Sequence, residues 1–438
     1  MNVQAKLRHP RRRAARLGVA YCIGLAIAGP VCADAVTDWN LVFDQASPAF
    51  GGPPARSPPG AMMHVAIHDA LNSIDPRYQP YTALSPANPN ASPDAAIAAA
   101  ARDVLINQLS RLPDNAAKAA ARTNVQSAYV AALAAIPDGT AENLGVAAGQ
   151  AAAAAIIALR LNDGQGTPNL PYTLAPGLGV YQPTPPNFAT PSFAGLALWT
   201  PFAMTSASQF HPGPSPIFAL KGAPYARDYN EVKAVGSAVV RNAAPDSEES
   251  RIARFFPGGG GNGNALARAA INGLGLDRWQ HARLFALRGM AETDALITAF
   301  GTKYVYNFWR PVTAIRWADD GNRRTEPDPG WLSYQLTPAY PDYICGLPSV
   351  IGSTTEVLRR FFGTDDITFS FTVSIPQPAP APPEVLTRNY TSLSQAANEA
   401  VDARVFGGMH FRDGCEQAKR TSSKVASYVF ARYLKPVQ

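Results

Sequence analysis

The sequence predicts a mainly α-helical protein, a helical bundle whose members are joined by long proline-rich loops. Three observations predict it. Apolar residues recur at helical spacing, as in Met62, Ala66, Ala70 and Ile74. Strand-type alternation is scarce along the chain. The 40 prolines cluster between the periodic segments, where they favour ordered loops. A hydrophobic content of 47% with 16% charged residues places the chain among globular proteins, and 438 residues suffice for one large helical domain or two smaller ones.

The first 35 residues read as an export leader. Lys6, Arg8, Arg11, Arg12, Arg13 and Arg16 form a basic head, Leu17 to Val31 an apolar run, and Ala33-Asp34-Ala35 a small-residue cleavage site. Cutting is expected after Ala35, with Val31-Cys32-Ala33 as the alternative, and the arginine run leaves the export route open. The mature chain is then periplasmic or secreted. Removing the leader takes six basic residues and one acid, so the net charge falls from +6 to +1. That balance gives no basis for nucleic-acid binding. No later stretch has 18 unbroken apolar residues, so no membrane span is expected in the mature chain. Cys22 and Cys32 leave with the leader, and Cys345 and Cys415 remain as a potential disulfide in an oxidising compartment.

Beyond the leader, "ARSPPGAMMHVAIHDALNSIDPRYQPY" (55–81) begins with a Pro-Gly turn and continues as an apolar helix. His64 and His68 share a face there, a spacing that serves a metal but more often serves core hydrogen bonding. Residues 93–161 are alanine-rich with breaks at Pro113 and Pro137-Asp138-Gly139, giving two or three tightly packed helices. Residues 163–226 read as a long ordered loop, because aromatics accompany the prolines and glycines. "YARDYNEVKAVG" restarts a helix. "PGGGGNGN" (257–264) lacks the Lys-Ser/Thr of a nucleotide loop and reads as a mobile surface loop. One or two helices cover 278–310, and "DITFSFTVSI" (366–375) is a short strand followed by a polyproline-like spacer. The chain thus divides into a leader (1–35), a helical region with proline-rich loops (36–230) and a helical core (231–438), the last two forming one compact unit.

Chemistry concentrates in three stretches. In "KYVYNFWRPVTAIR" (303–316), Lys303 and Arg310 are spaced by close to two helical turns, which would place them about 10 Å apart on one face, with Pro311 closing the helix. A surface helix with snorkelling cations is the plain alternative. In "TPAYPDYICGLPSVIGSTTEVLRRFFG" (337–363), Gly346 leads into a helix, and free N–H groups at such a start bind oxyanions. In "EAVDARVFGGMHFRDGCEQAKR" (399–420), Arg404 ends a helix, Gly407-Gly408 turn the chain and His410 starts the next helix. Three cations, a helix N-terminus and one imidazole suit a multiply charged tetrahedral oxyanion, with guanidinium forks for its oxygens and histidine to attack or coordinate the central atom.

These stretches resemble the vanadium-dependent haloperoxidases and the related phosphatidic acid phosphatase type 2 enzymes. Their signature is K-x6-R-P, P-S-G-H and S-R-x5-H; here the chain reads "KYVYNFWRP", "ICGL" and "ARVFGGMH", with Ala403 in the serine position. "HVAIHDALNSIDPRY" and "PYARDYNEVKAVG" extend the likeness over most of the mature chain. The resemblance implies a helical bundle of the haloperoxidase/acid phosphatase type and vanadate as cofactor. It implies that Lys303, Arg310 and Arg404 bind vanadate or phosphate oxygens, that Gly346 donates its N–H, and that His410 bonds to vanadium, or to phosphorus during turnover. Because Cys345 and Cys415 each adjoin a motif facing the same pocket, it also implies a disulfide between them.

The middle motif departs from the family. Aligning Gly346 with the family glycine puts Leu347 at the position of the acid–base histidine, and a register on Pro348-Ser349 puts Ile351 there. Leucine transfers no proton, and losing a general acid–base lowers a rate by about 10² to 10⁴-fold. Charge for anion binding is retained while the proton carrier is gone. Three functions are therefore open: a haloperoxidase taking peroxide and halide, with Phe308 and Trp309 as a water-poor halide pocket or, as buried aromatics beside a helix end more often are, plain core; a phosphate-ester hydrolase with His410 as nucleophile; and a catalytically weakened oxyanion-binding protein. His64, His68, Asp342 and Asp413 are the substitute proton carriers to consider.

Overall fold

The computed structural model describes residues 34–437 except Ala379, and the leader reading lies almost wholly outside these residues. α1 (Ala35–Ala46) starts on Asp34, whose side chain accepts the Val36 N–H, and buries Val36, Trp39, Phe43 and Ala46 at helical spacing. α2 (Pro53–Ile74) begins earlier than the Pro-Gly turn suggested, since Pro58, Pro59 and Gly60 lie inside it. Pro53 at its first position supplies a φ already suited to a helix. His64 and His68 are fully buried on α2. His64 Nε2 meets Asn40 Nδ2 at 2.7 Å and its ring stacks on Phe285, while His68 Nδ1 lies 2.9 Å from Asp69. Both are core histidines, as the commoner reading had it.

The alanine-rich region folds as α3 (Pro93–Ser110), α4 (Ala116–Ala134) and α5 (Thr140–Leu159), broken where Pro113 and Pro137-Asp138-Gly139 lie. α3 and α5 approach closely because a Cβ on Gly149 would stand 2.3 Å from the Ala96 carbonyl oxygen. α5 is, among the described residues, the one helix long and apolar enough to cross a membrane by length and composition. No unbroken apolar run underlies that property; alanines produce it, and Glu142, Asn143 and Gln150 interrupt them. The following segment to Gly222 is an ordered wrapping loop, pinned where Asp294 accepts the N–H groups of Phe202, Ala203 and Met204 at 2.7, 2.8 and 3.0 Å.

Next come α6 (Ala223–Val235), α7 (Ala238–Ala243), α8 (Glu248–Phe255) and α9 (Gly263–Ile271). The glycine run between α8 and α9 is not a mobile surface loop. Gly261 N–H donates to Phe256 at 2.9 Å and Asn262 N–H to Gly259 at 3.0 Å, closing a wide turn that walls a cavity. α10 (Arg278–Tyr306) is the central element, capped by an Asp277/Gln280 box and buried at every residue from Leu284 to Lys303. It packs against α2, and against two later helices, α12 (Gly346–Phe362) and α14 (Arg412–Arg432). The short α11 (Pro311–Arg316) lies between α10 and α12. The strand expected at 366–375 is β1 (Phe369–Ile375), and the proline spacer is the loop of a hairpin. Its second strand β2 (Glu384–Tyr390) pairs antiparallel, Phe369 opposite Tyr390. α13 (Leu393–Phe406) follows, and residues 34–438 form one compact unit.

Candidate active site

Lys303 and Arg310 do not share a helix face. α10 stops at Tyr306 because Asn307 adopts a left-handed conformation (φ 50°), and Arg310 is extended and caps α11. Pro311 opens that helix instead of closing the preceding one, since a first-turn residue needs no N–H. The chain reversal nevertheless brings both cations to one place, fully buried. Lys303 Nζ donates to the carbonyls of Pro341 (2.9 Å) and Asp342 (2.7 Å). Arg310 donates from Nε to Tyr340 O (2.8 Å) and from one terminal nitrogen to Met409 O (2.8 Å) and His410 Nε2 (2.8 Å). Among the described residues, one Lys303 N–H and the other Arg310 terminal nitrogen, whose only contact is a long one of 3.5 Å to Pro338 O, remain free for a guest.

The third stretch completes the cradle. Arg404 sits in the last turn of α13 with its Nε buried and without a partner among the described residues. Gly408 (φ 75°) turns the chain where a Cβ would stand 2.2 Å from the Gly236 carbonyl oxygen, so only glycine fits. His410 follows in that turn; α14 itself starts at Arg412, behind Phe411 as N-cap. The imidazole is fully buried, with Nδ1 against the Asp342 carboxylate. Gly346 is the first residue of α12, behind Cys345 as N-cap, and lines a cavity of about 520 Å³ together with Leu347 and Arg404. Cys345 and Cys415 are bonded to one another, tying the start of α12 to the first turn of α14, as expected.

Three cations face one carboxylate here, and burial sets their proton affinities. Burial first, then Arg310 and Arg404, holds the Lys303 ammonium well below its ordinary pKa. Burial lowers Arg404 to about 10. Burial, then Arg310 and Lys303, pushes His410 far below the usual imidazole value, so it is neutral. Burial raises Asp342 to about 6 against the pull of Arg310 and Lys303. An excess of buried positive charge is relieved either by loss of the lysine proton or by a compensating anion. A guest oxyanion would restore Lys303 toward its ordinary pKa, so binding takes up protons and affinity falls as pH rises. Tungstate, whose own charge is constant from neutral to alkaline pH, should show that fall by titration calorimetry, with proton uptake appearing as a buffer-dependent heat. An affinity flat or rising with pH would count against a titrating lysine.

Other expected residues are placed elsewhere. Phe308 and Trp309 are core: Phe308 lies against Phe218 and Phe411, Trp309 against Tyr225 and Trp317, and neither lines the cavity. They point away because the break at Asn307 redirects the chain. Asp413 accepts from Ser215 Oγ at 2.5 Å, away from the cradle. Of the four substitute proton carriers, Asp342 alone is at the imidazole. Tyr340 escaped the sequence reading: its ring lies 5.1 Å from Lys303 Nζ and 5.0 Å from the Arg310 guanidinium carbon, stacking between the two cations. Its signal was an aromatic between prolines in "TPAYPD", beside a predicted anion site.

Residues 283–438 match the family model described as the VCPO second helical-bundle domain. That segment, about a third of the chain, is similar to the second helical bundle of vanadium chloroperoxidase. A vanadium chloroperoxidase of Curvularia inaequalis is 33% identical over 107 residues, a match covering 22% of this chain and 16% of that protein. Two solved structures share the fold along nearly the whole chain. The crystal structure of a bacterial vanadium-dependent iodoperoxidase superposes with a TM-score of 0.74 at 22% identity, covering 92% of this chain and 97% of that one. A holo-type bacterial vanadium-dependent chloroperoxidase gives 0.65 at 17% identity, covering 90% and 92%.

Proposed function

We propose that the chain is an exported haloperoxidase-like protein that binds vanadate and oxidises halide with hydrogen peroxide, at a rate reduced by Leu347. The observation that carries this reading is the buried cradle in which Lys303, Arg310 and Arg404 meet one neutral imidazole and a single carboxylate. The unpartnered Arg404 Nε and the start of α12 at Gly346 supply further donors beside a cavity. This donor set fits vanadate: Lys303, Arg310, Arg404 and the Gly346 N–H would hold its oxygens and His410 the metal. When bound, vanadate would supply the Lewis-acidic centre that activates hydrogen peroxide. Asp342 at Nδ1 holds His410 in the tautomer with its lone pair on Nε2. Phosphate has the same shape and charge and would occupy the same donors.

The overall reaction turns halide, hydrogen peroxide and one proton into hypohalous acid and water. A proton must therefore arrive at the cradle, and Leu347 lines the cavity where the family carries its imidazole. That observation favours a second reading, an oxyanion-binding protein with little turnover; a phosphate-ester hydrolase would face the same missing acid. Vanadium content of the purified protein after incubation with orthovanadate and gel filtration tests the binding. Close to one vanadium per chain is expected, and none would end both the haloperoxidase and oxyanion-binding readings. Bromination of monochlorodimedone and hydrolysis of p-nitrophenyl phosphate then separate peroxidase, phosphatase and silent binder.

Export places the cradle outside the cytoplasm, where its disulfide persists. Asp34 caps α1 and pairs with His281. A cut after Ala35 would remove that cap, so cleavage after Ala33, the alternative site, is the better fit. Intact-mass measurement of the exported protein should give an N-terminus at Asp34; one at Val36 would restore the cut after Ala35.

A further inference from the structure

One face of α10 runs from the cradle into the adjoining cavity. Arg288, Glu292, Leu296 and Phe300 follow at four-residue steps and all line it. Lys303 lies within one further turn. At 1.5 Å per residue, Glu292 stands about 16 Å from Lys303 along the axis. The cavity is therefore elongated, with Arg404, Gly346 and Leu347 at the cradle end and Asp44, Arg56 and Glu292 at the other. Its volume of about 520 Å³ is that of a small-molecule site. Between the ends its walls include the apolar side chains of Leu296, Phe300 and Phe193.

The far end has a cation that feels the Glu292 and Asp44 carboxylates without contacting either. Asp44 pairs with Arg268 at 2.6 Å, and Glu292 pairs with Arg288. Arg56 makes no ion pair among the described residues, and its one hydrogen bond runs from Nε to the Gly51 carbonyl at 3.1 Å. Its terminal nitrogens, the fork that reads a carboxylate in two parallel bonds, are left for a guest. We propose that this cavity binds an organic carboxylate with an aromatic or alicyclic body, the acid on Arg56 and the body along Leu296, Phe300 and Phe193. Two to three helical turns (about 10–16 Å) separate the ends, so the body of such a guest reaches Leu347 and the mouth of the cradle. The inference deepens the haloperoxidase-like reading, because that end of the guest faces whatever the cradle holds. It also gives Leu347 a role, as the apolar wall against which the body ends.

Biphenyl-4-carboxylate is a suitable probe, titrated calorimetrically into the mature chain with and without saturating orthophosphate. Saturable one-to-one binding is expected, unchanged within about twofold by phosphate, since the two anions occupy opposite ends. Arg56→Ala should weaken it about 10- to 100-fold, as loss of a charge-assisted pair does, and Arg56→Lys should give an intermediate loss. Biphenyl-4-carboxamide should bind as weakly to the unaltered protein. Arg56 is partly exposed, and an unchanged melting midpoint verifies that the variants fold. Absence of binding, an unaffected Arg56→Ala variant, or competition by phosphate would each overturn the proposal. A chain that fails to retain vanadate yet binds the probe through Arg56 would refute the functional reading and leave this site standing.

Discussion

Leu347→His raises vanadate-dependent bromination by about 10² to 10⁴-fold over the unaltered protein, the factor a general acid–base is worth. The position accepts the change. Leu347 is the second residue of α12, half-buried, and lines the cavity beside Gly346. Histidine is of similar volume, so the expected loss of stability is small. The helix N-terminus lowers the pKa of an imidazole placed there, keeping it neutral enough to accept and return a proton near neutral pH. Asp342 does not substitute for it, although burial brings its pKa to about 6, because its carboxylate is engaged with His410. Monochlorodimedone bromination at saturating orthovanadate and peroxide reads the effect, with vanadium content measured on both proteins. Equal loading with unchanged turnover would mean that the deficit lies elsewhere, for example in Arg310 donating to the nitrogen that the metal needs. A gain on p-nitrophenyl phosphate in place of bromide would move the chain to the phosphatase side.

The sequence disclosed the parts of this site more reliably than the local geometry that assembles them. Lys303, Arg310, Arg404 and His410 meet, as the motifs implied, but the helical spacing invoked for the first two was wrong. Asn307 in a left-handed conformation ends α10 three residues before Arg310, and neither its presence nor the following Pro311 distinguishes a helix end from a helix restart without the fold. The alanine-rich helices were legible because their breakers are unambiguous. The glycine run was misread because its order comes from packing over a cavity made by other segments, a non-local cause. β2 was missed for a related reason: "EVLTRNY" is polar on one face and becomes a strand by pairing with β1. Arg56 carries no motif at all, and Tyr340 only the faint signal of an aromatic between prolines. Their meaning arises when a ring falls between two cations, and when neighbouring carboxylates turn out to be spent on other partners.

Converting Cys345 and Cys415 together to alanine lowers stability by about 4 kcal/mol, the loop-closure value for a cross-link spanning 70 residues. It should also weaken vanadate binding. The two consequences have separate causes. The first acts on the unfolded chain, which gains the freedom of a long loop. The second acts on the native cradle: Cys345 immediately precedes Gly346, and Cys415 lies five residues beyond His410, so the bond sets how the α12 N-terminus meets the turn that carries the imidazole. Both sulfur atoms are inaccessible to solvent, so a reductant should act slowly on the folded protein and quickly on the unfolded one. Urea denaturation of the oxidised protein, the oxidised protein with reductant, and the double variant reads the stability term. Vanadium retention on the folded double variant reads the positioning term. A variant as stable as the parent would show that the cross-link does not constrain the unfolded chain, and unchanged vanadium retention would show that α12 finds its place by packing on α10 and α14 alone.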